Sequence, residues 1–339
     1  MKPLPIARGL VLAALALLLP ACAELRTIPY VSRPPVFESD EFIVTFAQWG
    51  DTAERLAARH LGDRTKAWMI EDYNGELRLR AGGEVVIPKK AWSASGVYAN
   101  GYQLVPVLVY HNIAEEARGR LVIAADTFAE QMRYLKSHGY RVVRLDDLVQ
   151  YTALGRQLPL KSVVITFDDG YKSFLEHAYP VLKRLGFTAT LFVYTDYIGS
   201  GVNALDWDEL KQLADAGFEI AAHSKTHSDL RRRPGESPED FARRMRIELA
   251  EPLATFQRRL GRTPHVLAYP YGAHDDEVVK KAREHGYVAA FSVRRESNAA
   301  FVQPLEIRRS QIYSDMTLDE FARTLDTFHT DVLIHEVPQ

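Results

Sequence analysis

Residues 162–170 read Ser162-Val163-Val164-Ile165-Thr166-Phe167-Asp168-Asp169-Gly170. Six strand-like residues in a row, with no polar alternation, predict a strand buried on both faces, as in a parallel sheet. Two carboxylates close that run, and neighbouring side chains on a strand point to opposite faces. Asp168 and Asp169 can therefore share one site only where the strand bends, and Gly170 permits a bend. A solvated Asp-Asp-Gly turn is the alternative reading. It sits poorly after a buried run, where unpaired carboxylates are costly.

Working outward, further strands are predicted at Val105–Tyr110, Tyr140–Leu145, Thr188–Tyr194, Glu219–Ala222, Val266–Tyr269 and Tyr287–Val293. Amphipathic helices near 125–137, 173–185, 208–216, 239–260 and 275–285 separate most of them. Apolar strands divided by helices imply a parallel sheet covered on its faces. The expected fold class is α/β, a distorted (β/α) barrel of about seven strands, preceded by a small βααβ domain.

In such barrels the chemistry gathers at the C-terminal ends of the strands. Two more motifs fall there: His223-Ser224-Lys225-Thr226-His227 and Tyr269-Pro270-Tyr271-Gly272. A spacing of four would put His223 and His227 on one side of a helical turn, as a metal-ligand pair requires. Such a pair alone is often a surface feature, but an Asp-Asp strand end in the same barrel favours ligands. Two imidazoles and one carboxylate leave positions open for water and substrate, as in a catalytic site. The inventory suits a metal-activated water attacking an amide or ester.

Together the three motifs resemble those of the polysaccharide deacetylases, carbohydrate esterase family 4, also called the NodB-homology family. The resemblance covers about Val105 to Phe328, including Trp207-Asp208-Glu209-Leu210 and Ala216-Gly217-Phe218-Glu219-Ile220. It implies that Asp168 is the general base, and that Asp169, His223 and His227 hold a divalent metal, with zinc (Zn2+) the first choice. It further implies that Pro270 and Tyr271 shape the substrate groove and that the Tyr271 N–H helps hold an oxyanion. The family's third motif usually carries an arginine, but Ala268-Tyr269 stands here. Arg309 is the candidate to orient Asp168 instead; a surface arginine beside Arg308 is the other reading. For the general acid, Leu108-Val109-Tyr110-His111 competes with Leu333-Ile334-His335. His111 is preferred, because 105–111 reads as a full barrel strand and resembles the circularly permuted arrangement of poly-β-1,6-N-acetylglucosamine deacetylases.

Ahead of the barrel, residues 1–21 read as a signal peptide: Lys2 and Arg8 form a positive segment before the apolar run Gly9 to Leu19, which is too short to span a bilayer comfortably. Cys22, the sole cysteine, resembles the lipidated residue of a bacterial lipobox, although Pro20 departs from its usual form. Residues 22–40 read as a tether and 91–104 as a linker, leaving 105–339 as the deacetylase-like domain. Residues 41–90 resemble a LysM domain, by Gly50-Asp51-Thr52, Asn74 and Gly82-Gly83 leading to Val86-Ile87-Pro88. That resemblance implies binding of N-acetylglucosamine-containing glycans.

Composition excludes other classes. The 339 residues are 47% hydrophobic and 25% charged, as in an ordinary globular protein. A net charge of −2 argues against a nucleic-acid partner, and Arg231-Arg232-Arg233 reads as a solvated loop. The expected function is removal of N-acetyl groups from an N-acetylglucosamine-containing envelope polysaccharide, either peptidoglycan or a poly-N-acetylglucosamine. A hydrolase of small non-sugar amides and a catalytically silent, glycan-anchoring lipoprotein are the rivals. The expected location is exported: an outer-membrane lipoprotein facing the periplasm, held through Cys22, or a protein otherwise attached to the envelope.

Overall fold

The computed structural model describes residues 36–75 and 79–331. The signal segment, Cys22, most of the tether and His335 lie outside those residues.

The chain opens with a small module in which β1 (Phe42–Phe46) and β2 (Glu84–Pro88) pair antiparallel around α1 (Ala53–His60) and α2 (Ala67–Asn74). Thr52 caps α1 by accepting from the Arg55 N–H, satisfying one donor that the first turn leaves free. Ile43, Leu56, Ala57, Ile70, Val85 and Ile87 form its separate core. The Asn74 side chain donates to the Val86 carbonyl at 2.7 Å and accepts from the Val86 N–H at 3.0 Å, tying α2 to β2. The module is clamped to the barrel: Asp72 accepts from the Leu160 N–H at 2.7 Å and from Arg141 at 2.8 Å.

The barrel strands are β3 (Val107–Tyr110), β4 (Arg141–Val142), β5 (Ser162–Asp169), β6 (Thr190–Val193), β7 (Glu219–Ala222), β8 (Val266–Ala268), β9 (Ala289–Phe291) and β10 (Ser310–Gln311). The covering helices include α3 (Ala125–Ser137), α4 (Leu145–Thr152), α5 (Tyr179–Leu185), α6 (Trp207–Asp215), α7 (Pro238–Met245), α8 (Glu251–Leu260) and α9 (Asp276–Glu284). Seven strands run parallel in the order β9-β8-β7-β6-β5-β3-β10, and β4 pairs with the start of β5. A parallel bridge between Phe291 and Ile307 joins β9 to the chain just before β10, so the sheet curls back on itself. Val107, Val164, Phe192, Ala221, Ala268, Phe291 and Ile307 fill the interior. A larger layer, including Leu108, Ile165, Phe167 and Leu191, packs against the helices. Residues 163–168 alternate between the two layers with the strand period of two.

Two expectations about this sheet are corrected. Only Arg141–Val142 of the predicted strand 140–145 is extended, and Leu145 begins α4. The Glu219 carboxylate accepts from the Leu145 and Asp146 N–H groups at 2.8 and 3.0 Å, so a side chain from another strand caps the helix start. The seventh strand on the path is β10, too short for periodicity to reveal. Within the Arg231-Arg232-Arg233 run, Arg231 pairs with Asp229 and Arg232 with Glu277.

Candidate metal centre

Register brings the C-terminal ends of β5, β6 and β7 level, Asp169 beside Val193 and Val193 beside Ala222. On the other flank Phe167 pairs with Tyr110, so His111 follows next to Asp168. The motif residues therefore share one rim.

Asp168 continues the interior-facing series of Val164 and Thr166. Asp169 would point outward, but its φ of 77° breaks the pleat, and Gly170 follows at 91°. The bend thus begins one residue earlier than glycine alone requires. The left-handed φ favours glycine at 170, and a Cβ there would also press on the Ile198 side-chain tip at 2.7 Å.

The histidine pair lies on no helical turn, contrary to the reading from spacing. His223 directly follows β7, and His227 sits in an irregular loop where Ser224 and His227 have φ of 68° and 61°. That loop is held by the Glu248 carboxylate, which accepts from the Lys225 and Thr226 N–H groups and from the Thr226 and Ser228 hydroxyls. Sequence reasoning missed Glu248. Its signal was a lone acid between Met245 and Leu249 on the inward side of an amphipathic helix.

Asp169, His223 and His227 nevertheless converge, each offering one donor atom within 4.8 Å of the others. The Asp169 Oδ1 lies 3.3 Å from His227 Nε2 and 3.7 Å from His223 Nε2. A tetrahedral zinc with such ligands separates its donors by about 3.3 Å. His223 Nδ1 lies 2.7 Å from the Ala268 carbonyl, which fixes a proton there and leaves Nε2 free as a ligand. The Asp169 Oδ1 is buried with no hydrogen-bond partner, an orphan that a cation would satisfy. The residues fit a divalent metal.

Protonation in this cluster follows burial. The Asp169 carboxyl is pushed up to about 6 by burial and the adjacent Asp168 charge, with His111 opposing. His223 is lowered to about 4, chiefly by burial. Burial would raise Asp168 too, but the Arg309 charge prevails and holds it at about 2. Arg309 is fully buried and grips both Asp168 oxygens at 2.7 Å. Its Nε donates to the Ser292 carbonyl at 3.0 Å, and its guanidinium lies 5.2 Å from the Phe192 ring centre.

His111 stands close enough for its charge to act on both aspartates, and its Nδ1 is buried without a partner. Tyr271 is 66% exposed, with its ring centre 4.6 Å from that of His227. Its φ of 59° is followed by 68° at Gly272, where a Cβ would lie 2.6 Å from the Val293 nitrogen. Tyr194 flanks His227 from the other side at 5.1 Å and stacks on Tyr197. Among the described residues, four of the six non-glycine residues with positive φ, Asp169, Ser224, His227 and Tyr271, belong to this rim, as strained backbone often does at functional sites.

The curled parallel β/α barrel thus carries a carboxylate and two imidazoles on its rim, a donor set that fits a divalent metal. Residues 155–290 match the family model described as polysaccharide deacetylase. The YxkH protein of Bacillus subtilis (strain 168) is 29% identical over 54% of this chain and 62% of its own. The poly-beta-1,6-N-acetyl-D-glucosamine N-deacetylase of Escherichia coli (strain K12) is 23% identical over 72% of this chain and 40% of its own. This chain therefore spans less than two thirds of either relative. The solved structure of IcaB from Ammonifex degensii is similar with a TM-score of 0.59 and 26% identity, covering 68% of this chain and 98% of that one. The barrel is thus similar in sequence to polysaccharide deacetylases over residues 155–290.

Proposed function

We propose that this chain is a metal-dependent N-deacetylase of an N-acetylglucosamine-containing envelope polysaccharide. The observation that carries this reading is the Asp169, His223 and His227 donor set beside an Asp168 clamped by Arg309. A zinc ion held by those three ligands would acidify water and polarise the acetamide carbonyl.

The chain's own residues supply the rest. Asp168 takes the proton from the attacking water. Held at about 2, it is ionised throughout the working range but is a weak base, suited only to water already acidified. Arg309 keeps both carboxylate oxygens in one plane. The Tyr271 N–H helps hold the tetrahedral oxyanion. His111 gives a proton to the departing amine, so that one water and one N-acetyl group yield acetate and a free glucosamine unit. The tyrosines 194, 197 and 271 offer flat apolar faces against which sugar rings can lie.

Similarity to a protein named for the β-1,6-linked polymer favours that substrate over peptidoglycan. The metal-loaded chain should release acetate fastest from β-1,6-linked N-acetylglucosamine oligomers, more slowly from chitin oligomers or peptidoglycan. Equal silence on all three would return the reading to a non-catalytic glycan anchor.

The module at 41–90 extends the same reading. Its βααβ order and the Asn74 tie to β2 support a LysM-like glycan binder. The inactive Asp168→Asn variant should co-sediment with insoluble peptidoglycan or chitin. Attachment through lipidated Cys22 at the outer membrane completes the reading, and among the described residues no helix is long and apolar enough to cross a membrane. Radiolabelled palmitate incorporation that disappears in Cys22→Ser tests it.

A further inference from the structure

We propose that Glu248 is a positioning residue that presets the His227 loop for metal capture. The inference rests on the metal-dependent reading above and adds a residue to it. Loop 224–228 takes an unfavourable path, left-handed at both Ser224 and His227. Such backbone persists only where its surroundings over-determine it.

Glu248 provides that constraint. One carboxylate oxygen accepts from the Lys225 N–H at 3.2 Å and the Thr226 N–H at 3.0 Å. The other accepts from the Thr226 hydroxyl at 2.6 Å and the Ser228 hydroxyl at 3.2 Å. Four donors on the residues just before and after His227 thus meet a single side chain, which is 4% exposed. The Ser224 hydroxyl closes the loop by accepting from the His227 N–H at 3.0 Å.

The helix delivers this carboxylate by a local distortion. Between α7 and α8 the backbone takes one π-helical turn, Arg246–Ala250, a feature frequent at functional sites. Met245 and Leu249 on either side are fully buried. An acid between them is costly unless its oxygens are satisfied, and here the loop satisfies them. The neighbouring ions are otherwise engaged, Lys225 with Glu251 and Arg244 with Glu236. Among the described residues no salt bridge to Glu248 is formed, so its partners are the loop's own donors.

The test is cobalt(II) binding to the full chain, by calorimetry and by the visible spectrum of the bound ion. Metal-free circular dichroism and melting of every variant serve as the control. Glu248→Ala should weaken cobalt binding about 10–100-fold, as loss of an outer partner of a ligand does, and should alter the spectrum. Glu248→Gln should bind nearly as wild type, because the oxygen facing two hydroxyls can become an amide nitrogen if those hydroxyls reverse. Wild-type affinity and spectrum in Glu248→Ala would overturn the proposal. If Glu248→Ala does not fold, the Thr226→Val/Ser228→Ala double variant takes its place. It should bind roughly fivefold more weakly for each net hydrogen bond lost, and unchanged binding would overturn the proposal. A wild-type chain that binds no cobalt would defeat the metal reading itself, a result distinct from an unaffected Glu248 variant.

Discussion

Arg309 and Asp168 meet as a two-pronged ion pair, Nη1 to Oδ1 and Nη2 to Oδ2 at 2.7 Å each, at 0% and 2% exposure. Arg309 directly precedes β10, and β3 lies between β10 and the strand β5 that carries Asp168. The pair therefore reaches past β3 and ties the segment before β10 to the site. Arg309→Leu would leave a buried carboxylate uncompensated, at a cost of about 3–5 kcal/mol. Arg309→Lys keeps a charge but not the planar fork, so acetate release should fall well before the fold does. Urea unfolding and acetate assays on both variants check this, and wild-type turnover in Arg309→Lys would contradict it.

Asp168→Asn should abolish acetate release while zinc content stays near wild type, because Asp168 lies outside the donor set of Asp169, His223 and His227. Elemental analysis of the purified variant decides the matter. Loss of zinc instead would mean that the two aspartates exchange roles.

Alanine at His227 should do the reverse, removing the metal, and a chelator should silence the wild type without unfolding it. The melting temperature should then recover as zinc is restored, since a ligand that binds only the native state stabilises it by mass action. A chelated protein that keeps its turnover would remove metal from the mechanism.

The clamp between the small module and the barrel rests on Asp72. Asp72→Ala strands the Leu160 N–H, while Arg141 keeps the Leu160 carbonyl and Glu71, and should cost about 1–3 kcal/mol. Calorimetry should show the module melting earlier than the barrel. An unchanged melting profile would show that the aromatic packing of Trp92 on Trp68 and Tyr73 suffices.

On the opposite face of the barrel, His265 Nε2 lies 3.2 Å from Asp146 Oδ1. The hydrogen bond that His265 donates to Asp146 raises the His265 pKa, with burial opposing. A raised folded-state value means that the stabilisation is complete below the ordinary histidine range and is lost as pH rises through the folded value. Both partners are half exposed, so the effect should be about a few tenths of a kcal/mol. Denaturation midpoints followed from mildly acidic to mildly alkaline pH should converge for wild type and His265→Ala at the alkaline end. A gap that widens with pH would reverse the sign.

How much was legible in the sequence depended on the range of the interaction involved. The buried run before Asp168 and the apolar strands of β6 to β9 announced themselves, because a strand covered on both faces must be apolar throughout. The strand expected over Tyr140–Leu145 stops at Val142, and the helix from Leu145 went unread because the cap at its start comes from Glu219, far away in sequence. The path of the His227 loop escaped notice for the same reason, its constraint lying on the helix that carries Glu248.

The sequence by itself determined the α/β class, the identity of the three rim motifs and the residue types available as ligands, since periodicity and local chemistry are written in adjacent residues. Long-range packing settled that Asp169 turns into the site, that a buried arginine just ahead of the short strand β10 grips Asp168, and that the histidine pair lies on a loop. Those outcomes depend on left-handed backbone, on strand register and on charges brought together across the interior, none of which one segment of chain encodes alone.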